Sequence, residues 1–402
     1  MNDNPAGLTV VGIGADGWAG LTGTATAALT AADVILGSDR QLALLPPEVV
    51  GERVAWPSPL LPALPGLLEA HRGRRVAVLA SGDPMFHGIG ATLRRHAEQV
   101  RVVPHPSSVS FAAARLGWPL ADVDVLSLVT ARVEELHPLV HPGRRILVLS
   151  RDASTPAEVA ALLTSRGYGD STVTVLSRLG GEDEASVRGP AATVDLTGLD
   201  PLNVVAVECG RGGARMPLTP GLPDDAYDSD GQLTKREVRA VTLAVLGPQP
   251  GELLWDIGAG SGSIAIEWMR SHRACRAVAV ESSPERAARV EANAVALGVP
   301  KLEVVAGRAP GALAGLPAPD VVFIGGGLTR DGVVEAAWAA LPGGGRLVAN
   351  AVTLESEAVL AAWYAKLGGE LTRVAVSRAS PVGGFTGWRS MMPVTIWSVV
   401  KP

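Results

Sequence analysis

A chain of 402 residues with 47% hydrophobic and 19% charged residues is long enough for two or three domains and apolar enough to fill their cores, which excludes a disordered protein. Its net charge of −5 leaves no basic excess for nucleic acid or an anionic membrane surface. The 47 glycines and 30 prolines follow no G-X-Y period and mark turns, and the two cysteines, Cys209 and Cys275, sit in no CxxC or Cys/His cluster, so the reading is reduced thiols, no metal site and a cytoplasmic protein.

Residues 1–5 lack the basic and apolar regions of a signal peptide. No run of about 18 apolar residues predicts a membrane span. The apolar run 8–13 predicts a strand, followed by a Gly-rich turn and a helix over 21–30. Apolar runs at 76–80, 100–103, 146–149, 173–176 and 204–207 alternate with helical patterns near 61–71, 89–96, 109–116 and 156–165. That alternation predicts α/β architecture. It stops after Cys209, where Gly210, Gly212, Gly213, Pro217, Pro220, Gly221 and Pro223 precede Asp224-Asp225. The predicted division is a first domain over 1–209, a linker over 210–230 and a second domain over 231–402. The alternative is a long surface loop inside one domain.

A second α/β series starts with a helix over 233–246, with Thr234 as its N-cap and Glu237 at capping-box spacing. Strands follow at 253–257, 277–281, 302–305, 321–324, 346–349 and 394–400. Helices are predicted over 261–270, 284–297, 330–341 and 354–367, with a proline near the first turn of the second of them.

The chemistry concentrates where the strand 253–257 runs into Gly258-Ala259-Gly260-Ser261-Gly262. Glycines there let the backbone turn sharply and let a ligand approach its amides. In an open parallel sheet such a loop lies at the carboxyl ends of the strands, where ligands bind. The spacing is Gly-x-Gly-x-Gly, whereas a dinucleotide fingerprint reads Gly-x-Gly-x-x-Gly and brings a helix N-terminus onto a pyrophosphate. Asp256, just before the glycines, would oppose an anion and suits a ligand carrying a sulfonium and an ammonium. Glu281 ends the next strand, where a carboxylate can accept hydrogen bonds from two ribose hydroxyls. This set favours S-adenosylmethionine; a dinucleotide and a ligand-free tight turn are the alternatives. Arg308 and Ala309, after the third strand, either flank the adenine or form a turn. The segment 377–389 carries glycines, hydroxyls, aromatics, Arg378 and Arg389, and reads either as a flexible cover for a flat anionic substrate or as a polar hairpin.

The residues Leu233-Thr234-Lys235-Arg236-Glu237-Val238-Arg239, the loop Trp255 to Ser263 and the closing segment Arg378 to Arg389 together resemble the decarboxylating precorrin-6Y methyltransferases of cobalamin biosynthesis. The first half resembles the tetrapyrrole methylases through Val10-Val11-Gly12-Ile13-Gly14-Ala15-Asp16-Gly17, Ala80-Ser81-Gly82-Asp83-Pro84-Met85-Phe86 and Pro104-His105-Pro106-Ser107-Ser108-Val109-Ser110. The resemblance implies a tetrapyrrole methylase fold of two α/β subdomains, followed by a Rossmann-like class I methyltransferase sheet. It implies cofactor binding by Gly82, Asp83, Ser107 and Ser108 in the first half and by Thr234, Asp256, Gly258, Ala259, Gly260, Ser261, Gly262, Glu281, Arg308 and Ala309 in the second. It further implies a reduced tetrapyrrole substrate, methylation at carbons 5 and 15 with loss of carbon dioxide from an acetate side chain, and a homo-oligomer. Two departures from the tetrapyrrole methylase pattern are Ala15 and His105-Pro106, which leave a corrinoid-binding first half without activity as an alternative. His87, His105 and His137 are proton-transfer candidates whose plainer reading is surface or structural. Arg378 and Arg389 are the expected anchors for acid side chains.

Overall fold

The computed structural model describes residues 7–97, 99–214 and 216–402, so residues 1–5, read above for a targeting signal, lie outside the described residues. The chain divides into two compact units, Met1–Val133 with Leu139–Ala214, and Glu134–Pro138 with Arg215–Pro402.

In the first unit, strands Glu52–Ala55, Val34–Gly37, Val76–Ser81, Leu8–Ile13 and Val100–Val103 stand in that order in a five-stranded, all-parallel sheet. Its central strands are covered on both faces, so they read as unbroken apolar runs rather than alternating ones. A second five-stranded sheet has the order Val123–Ser127, Arg145–Leu149, Asn203–Glu208, Thr172–Ser177 and Ala185–Pro190. Its first pair is parallel and the others antiparallel. Four of these ten strands give no sequence signal. Val34–Gly37 is too short to show a period, and Glu52–Ala55 and Ala185–Pro190 are exposed edges with polar residues. Val123–Ser127 is half-buried along its length.

The second unit holds a seven-stranded sheet in the order Glu303–Ala306, Arg276–Glu281, Leu253–Ile257, Val321–Ile324, Arg346–Ala351, Val394–Val400, Glu370–Val374. The first five strands are parallel and Val394–Val400 runs antiparallel to both neighbours. Alternate residues of each strand feed two cores, with Leu254, Ala279 and Phe323 on one face and Trp255, Ile257 and Ile324 on the other. Helices Arg236–Leu246, Ser263–Ser271 and Pro284–Ala296 pack on the first face. From the central strand Leu253–Ile257 the chain winds outward to one side and then returns to the other, so strand order reverses between it and Val321–Ile324. That is where an open parallel sheet opens a crevice.

Described residues near either end of 210–230 are tied into the unit they adjoin. Gly210 N donates to Ser171 Oγ at 3.0 Å, while Leu222 and Tyr227 are buried in the second unit's core. Thr234 does not cap the following helix. The helix starts at Arg236, Lys235 stands at its N-cap position without a side-chain bond, and Asp224 Oδ1 accepts from Arg236 N at 2.9 Å instead. A carboxylate twelve residues upstream thus does the work expected of a local hydroxyl. Among the described residues no helix is long and apolar enough to cross a membrane.

Candidate active sites in the two units

The crevice of the second unit is a cavity of ≈ 620 Å³ at the carboxyl ends of the parallel strands, within the size range of small-molecule sites. Asp256, Gly258, Ala259, Gly260, Glu281, Arg308, Ala309 and Thr234 all line it. Ser261 and Gly262 do not. Ser261 is buried behind the loop with its carbonyl accepting from Asn293, and Gly262 (φ +77°) is the N-cap of helix Ser263–Ser271. Gly258 has φ +73°, and a Cβ there would lie 2.5 Å from Gly326 Cα, so the loops after the two central strands touch only because both positions are glycine.

Two buried carboxylates form the acidic end of this cavity. Asp256 Oδ2 accepts from Ala265 N at 3.0 Å, whereas Oδ1 is buried with no hydrogen-bond partner among the described residues. Burial pushes the Asp256 carboxyl up to about 7; the Ala265 N–H opposes this and the charge of Glu281 adds to it. Glu281 is tied by Gly260 N and Ser283 N, each at 2.9 Å, which fixes the carboxylate at the strand end. An uncompensated carboxylate facing a cavity favours a cationic ligand group, because such a group restores the ionised form. Farther along the wall stand Lys235, Arg308 and Arg330, which have no carboxylate partner among the described residues.

The first unit has its own cavity of ≈ 430 Å³. Gly82, Asp83, Ser107 and Ser108 all line it. Gly82 adopts φ +61°, and a Cβ on Gly12 would sit 2.2 Å from the Gly82 carbonyl oxygen, so the first and second motifs are in backbone contact. Ser107 caps helix Ser108–Leu116, its Oγ accepting from Ser110 N at 3.1 Å. His105 is buried, with Nε2 3.2 Å from Asp16 Oδ2 and Nδ1 3.0 Å from the Pro106 carbonyl. A Cβ on Gly14 would lie 2.8 Å from its ring, so His105 holds the first motif against the third and is outside the cavity wall. His87 lines that wall, whereas His137 lines neither cavity.

The segment 377–389 is a hairpin, not a flexible loop. Ser377–Val382 pairs antiparallel with Phe385–Ser390, and Arg378 and Arg389 are cross-strand neighbours. Arg378 donates to Glu237 Oε2 at 2.5 Å and to Asp224 Oδ2 at 3.1 Å, so its charge is already matched, and neither arginine lines the cavity. The sequence reading missed Gln232, Gly325-Gly326-Gly327, Arg330, Asn350 and Met391-Met392, all of which line the wall. The three glycines after strand Val321–Ile324 were a findable signal, since they repeat the strand-then-glycine pattern of 253–262.

A parallel sheet with a glycine loop and two acidic residues at its switch point, in a chain whose other α/β unit has its own motif-lined cavity, is the architecture of an enzyme of the methyltransferase class. Residues 7–195 match the family model described as Tetrapyrrole (Corrin/Porphyrin) Methylases, and residues 225–401 match the Precorrin methyltransferase domain. A Precorrin-6Y C(5,15)-methyltransferase [decarboxylating] of Sinorhizobium sp is 50% identical over 98% of this chain and 96% of its own length. Two shorter relatives are each named for methylation at one carbon. A probable cobalt-precorrin-6B C(15)-methyltransferase (decarboxylating) of Pyrobaculum calidifontis is 36% identical over 44% of this chain and 94% of its own. A cobalt-precorrin-7 C(5)-methyltransferase of Salmonella typhimurium is 34% identical over 44% of this chain and 87% of its own. The chain belongs to the decarboxylating precorrin-6Y C(5,15)-methyltransferase family.

Proposed function

We propose that the protein methylates precorrin-6Y at carbons 5 and 15 and decarboxylates one acetate side chain, with S-adenosylmethionine as methyl donor at both sites. The observation that carries this reading is the presence of two separate cavities, one in each unit, each lined by the residues its own motifs supply. Relatives that match under half of this chain and are named for methylation at one carbon apiece support a division of labour. The first unit is assigned to carbon 5, and the second to carbon 15 and the decarboxylation. Two buried free thiols are in keeping with a reducing, cytoplasmic setting.

In each transfer a carbon–carbon bond forms to the macrocycle as the sulfur–methyl bond breaks, leaving S-adenosylhomocysteine. The sulfonium is itself a strong electrophile, so the protein's part is orientation, which contributes up to about 7–11 kcal/mol when two reactants are held in line. Asp256 and Glu281 would hold the cationic and ribose ends of the cofactor. Lys235, Arg308 and Arg330 are the cavity-wall cations that would receive acid side chains of the substrate; Arg389 and the already paired Arg378 are the further candidates. Breaking the bond to the carboxylate releases carbon dioxide and leaves the bonding electron pair in the conjugated macrocycle, and a proton taken up from solvent then turns the former acetate methylene into a methyl group; the buried apolar residues of the wall, Val333 and Val394 among them, keep water from the departing carboxylate.

Calorimetric titration of the full chain with S-adenosylmethionine tests the two-site reading. The expected stoichiometry is two cofactors per chain, falling to one when Gly82→Val blocks the first cavity. One cofactor per wild-type chain, unaffected by that substitution, would contradict a cofactor site in the first unit.

A further inference from the structure

In the first unit, next to the motif glycine Gly82, the cavity wall contains a group of donors that neither the motifs nor the resemblance assigns. Helix Asp39–Ala43 opens with a capping box in which Gln41 N donates to Ser38 Oγ and Gln41 Oε1 accepts from Ser38 N at 2.9 Å. That second bond settles which end of the Gln41 amide is oxygen, so Nε2 points the other way and donates to Ser81 Oγ at 3.0 Å. Arg40, the preceding residue, donates to the same Ser81 oxygen at 3.1 Å. A hydroxyl oxygen has two lone pairs and one hydrogen. Both lone pairs of Ser81 are occupied by N–H donors, and its own hydrogen has no acceptor among the described residues.

Arg40 and Ser81 both line the cavity. Arg40 has no carboxylate partner among the described residues, and its surroundings favour the uncharged form: loss of water comes first, the nearby positive charge of Arg178 adds to it, and Asp200 opposes both. The cavity's own carboxylate, Asp83, turns back to accept from Met85 N at 2.8 Å. Arg151, also in the wall, is already paired with Asp152 and Glu158. The wall therefore presents a free guanidinium edge beside an O–H that is forced to donate, which is an arrangement complementary to a carboxylate.

We propose that Arg40 and Ser81 form a clamp for a ligand carboxylate in the first unit's cavity, Arg40 through its guanidinium and Ser81 through its hydroxyl hydrogen, with Gln41 holding Ser81 in the donating orientation. The proposal rests on the functional reading above, which supplies two sources of that group: a peripheral acid side chain of the tetrapyrrole and the aminoacyl carboxylate of S-adenosylmethionine.

The test uses full-length wild-type protein and the Arg40→Gln, Arg40→Lys and Ser81→Ala variants. Steady-state formation of singly methylated product is followed by mass while precorrin-6Y and S-adenosylmethionine are varied in turn. Arg40→Gln is expected to raise KM for one of the two ligands by roughly 10- to 100-fold with kcat within about threefold, the signature of a lost binding contact. Ser81→Ala should raise the same constant by less, and Arg40→Lys should recover part of the loss. A rise confined to precorrin-6Y assigns the clamp to the substrate's acid group, and a rise confined to S-adenosylmethionine assigns it to the cofactor. Unchanged KM for both ligands, or a fall in kcat alone, overturns the clamp. If the wild type fails to methylate precorrin-6Y, the functional reading is what fails, and calorimetric dissociation constants of the same two compounds decide the clamp by the same criterion.

Discussion

Replacing Asp256 by Asn is expected to weaken S-adenosylmethionine binding in the second cavity by roughly 10- to 100-fold at pH 8, while making the ligand-free protein more stable at that pH. The amide oxygen can still accept from Ala265 N, so the strand-to-helix tie at 3.0 Å survives and only the charge is lost. The stability effect follows from the pKa. Burial raises the Asp256 carboxyl from 3.8 to about 7 in the folded chain. Below both values it is protonated in folded and unfolded chains alike and contributes nothing. Between them the unfolded chain ionises first, so stability falls as pH rises, and above about 7 the loss is complete, at most about 4 kcal/mol. The Asn variant escapes that loss, so its melting temperature exceeds the wild type's at pH 8, and the gap closes toward pH 4. Binding shows the reverse trend. A sulfonium or ammonium beside Asp256 needs the carboxylate, so wild-type affinity drops by up to about tenfold per unit below pH 7, while the variant's affinity stays flat. Calorimetry across this range checks both slopes. Unchanged affinity in the variant would mean that Asp256 does not face the ligand.

The second large effect is structural. Glu267 is 3% exposed and accepts from Gly221 N (2.6 Å), Leu222 N (3.1 Å), Tyr227 Oη (2.9 Å) and Arg239 Nε (2.5 Å). Arg239 is fully buried, lies 4.8 Å over the Tyr227 ring, and donates onward to the Leu222 and Thr234 carbonyls. Arg239→Leu strands a carboxylate in the core, which costs about 3–5 kcal/mol. For a unit of this size that lowers the thermal midpoint by roughly 10 °C. Arg239→Leu combined with Glu267→Gln should recover part of the loss, because the amide carries no charge and its oxygen still accepts from the buried donors around it. Differential scanning calorimetry of the wild type and the two variants checks this, and a double variant as unstable as the single one would contradict it. The pair also bears on function. Arg239 pins the Thr234 carbonyl, and residues 231–235 form one wall of the cavity, so the single variant should lose cofactor binding at temperatures where the first unit is still folded.

What the sequence disclosed followed from what each feature depends on. Strand Leu253–Ile257 and its loop were legible because an apolar run, an acid and three glycines are local signals that one βα turn needs. Glu281 was legible by its spacing from them. Asp224 as the cap of helix Arg236–Leu246 was not, because it lies twelve residues upstream and is brought there by tertiary packing. The same holds for Arg330, Asn350 and Met391, which lie at the ends of or between the foreseen elements and whose place in the wall depends on strand order. Arg378 illustrates the converse: an arginine in a glycine-rich segment reads as a ligand contact, and the fold places two carboxylates against it. In the first unit, His105-Pro106 reads as a departure from a motif, whereas in space the His105 backbone and Cβ lie against Gly12, its ring lies against Gly14, and Nε2 meets Asp16. Arg40 lies in no motif and Ser81 only precedes Gly82 in the second one, so the orientation of Gln41 is what brings out their chemistry.

The central claim is two methylations and one decarboxylation on a single chain. Mass spectrometry of the product formed from pure protein, S-adenosylmethionine and precorrin-6Y tests it most directly. The expected product has gained two methyl groups and lost one carbon dioxide, and is therefore lighter than the substrate. One methyl with decarboxylation would contradict an active first unit, and an unchanged mass with cofactor bound at both sites would contradict the substrate itself.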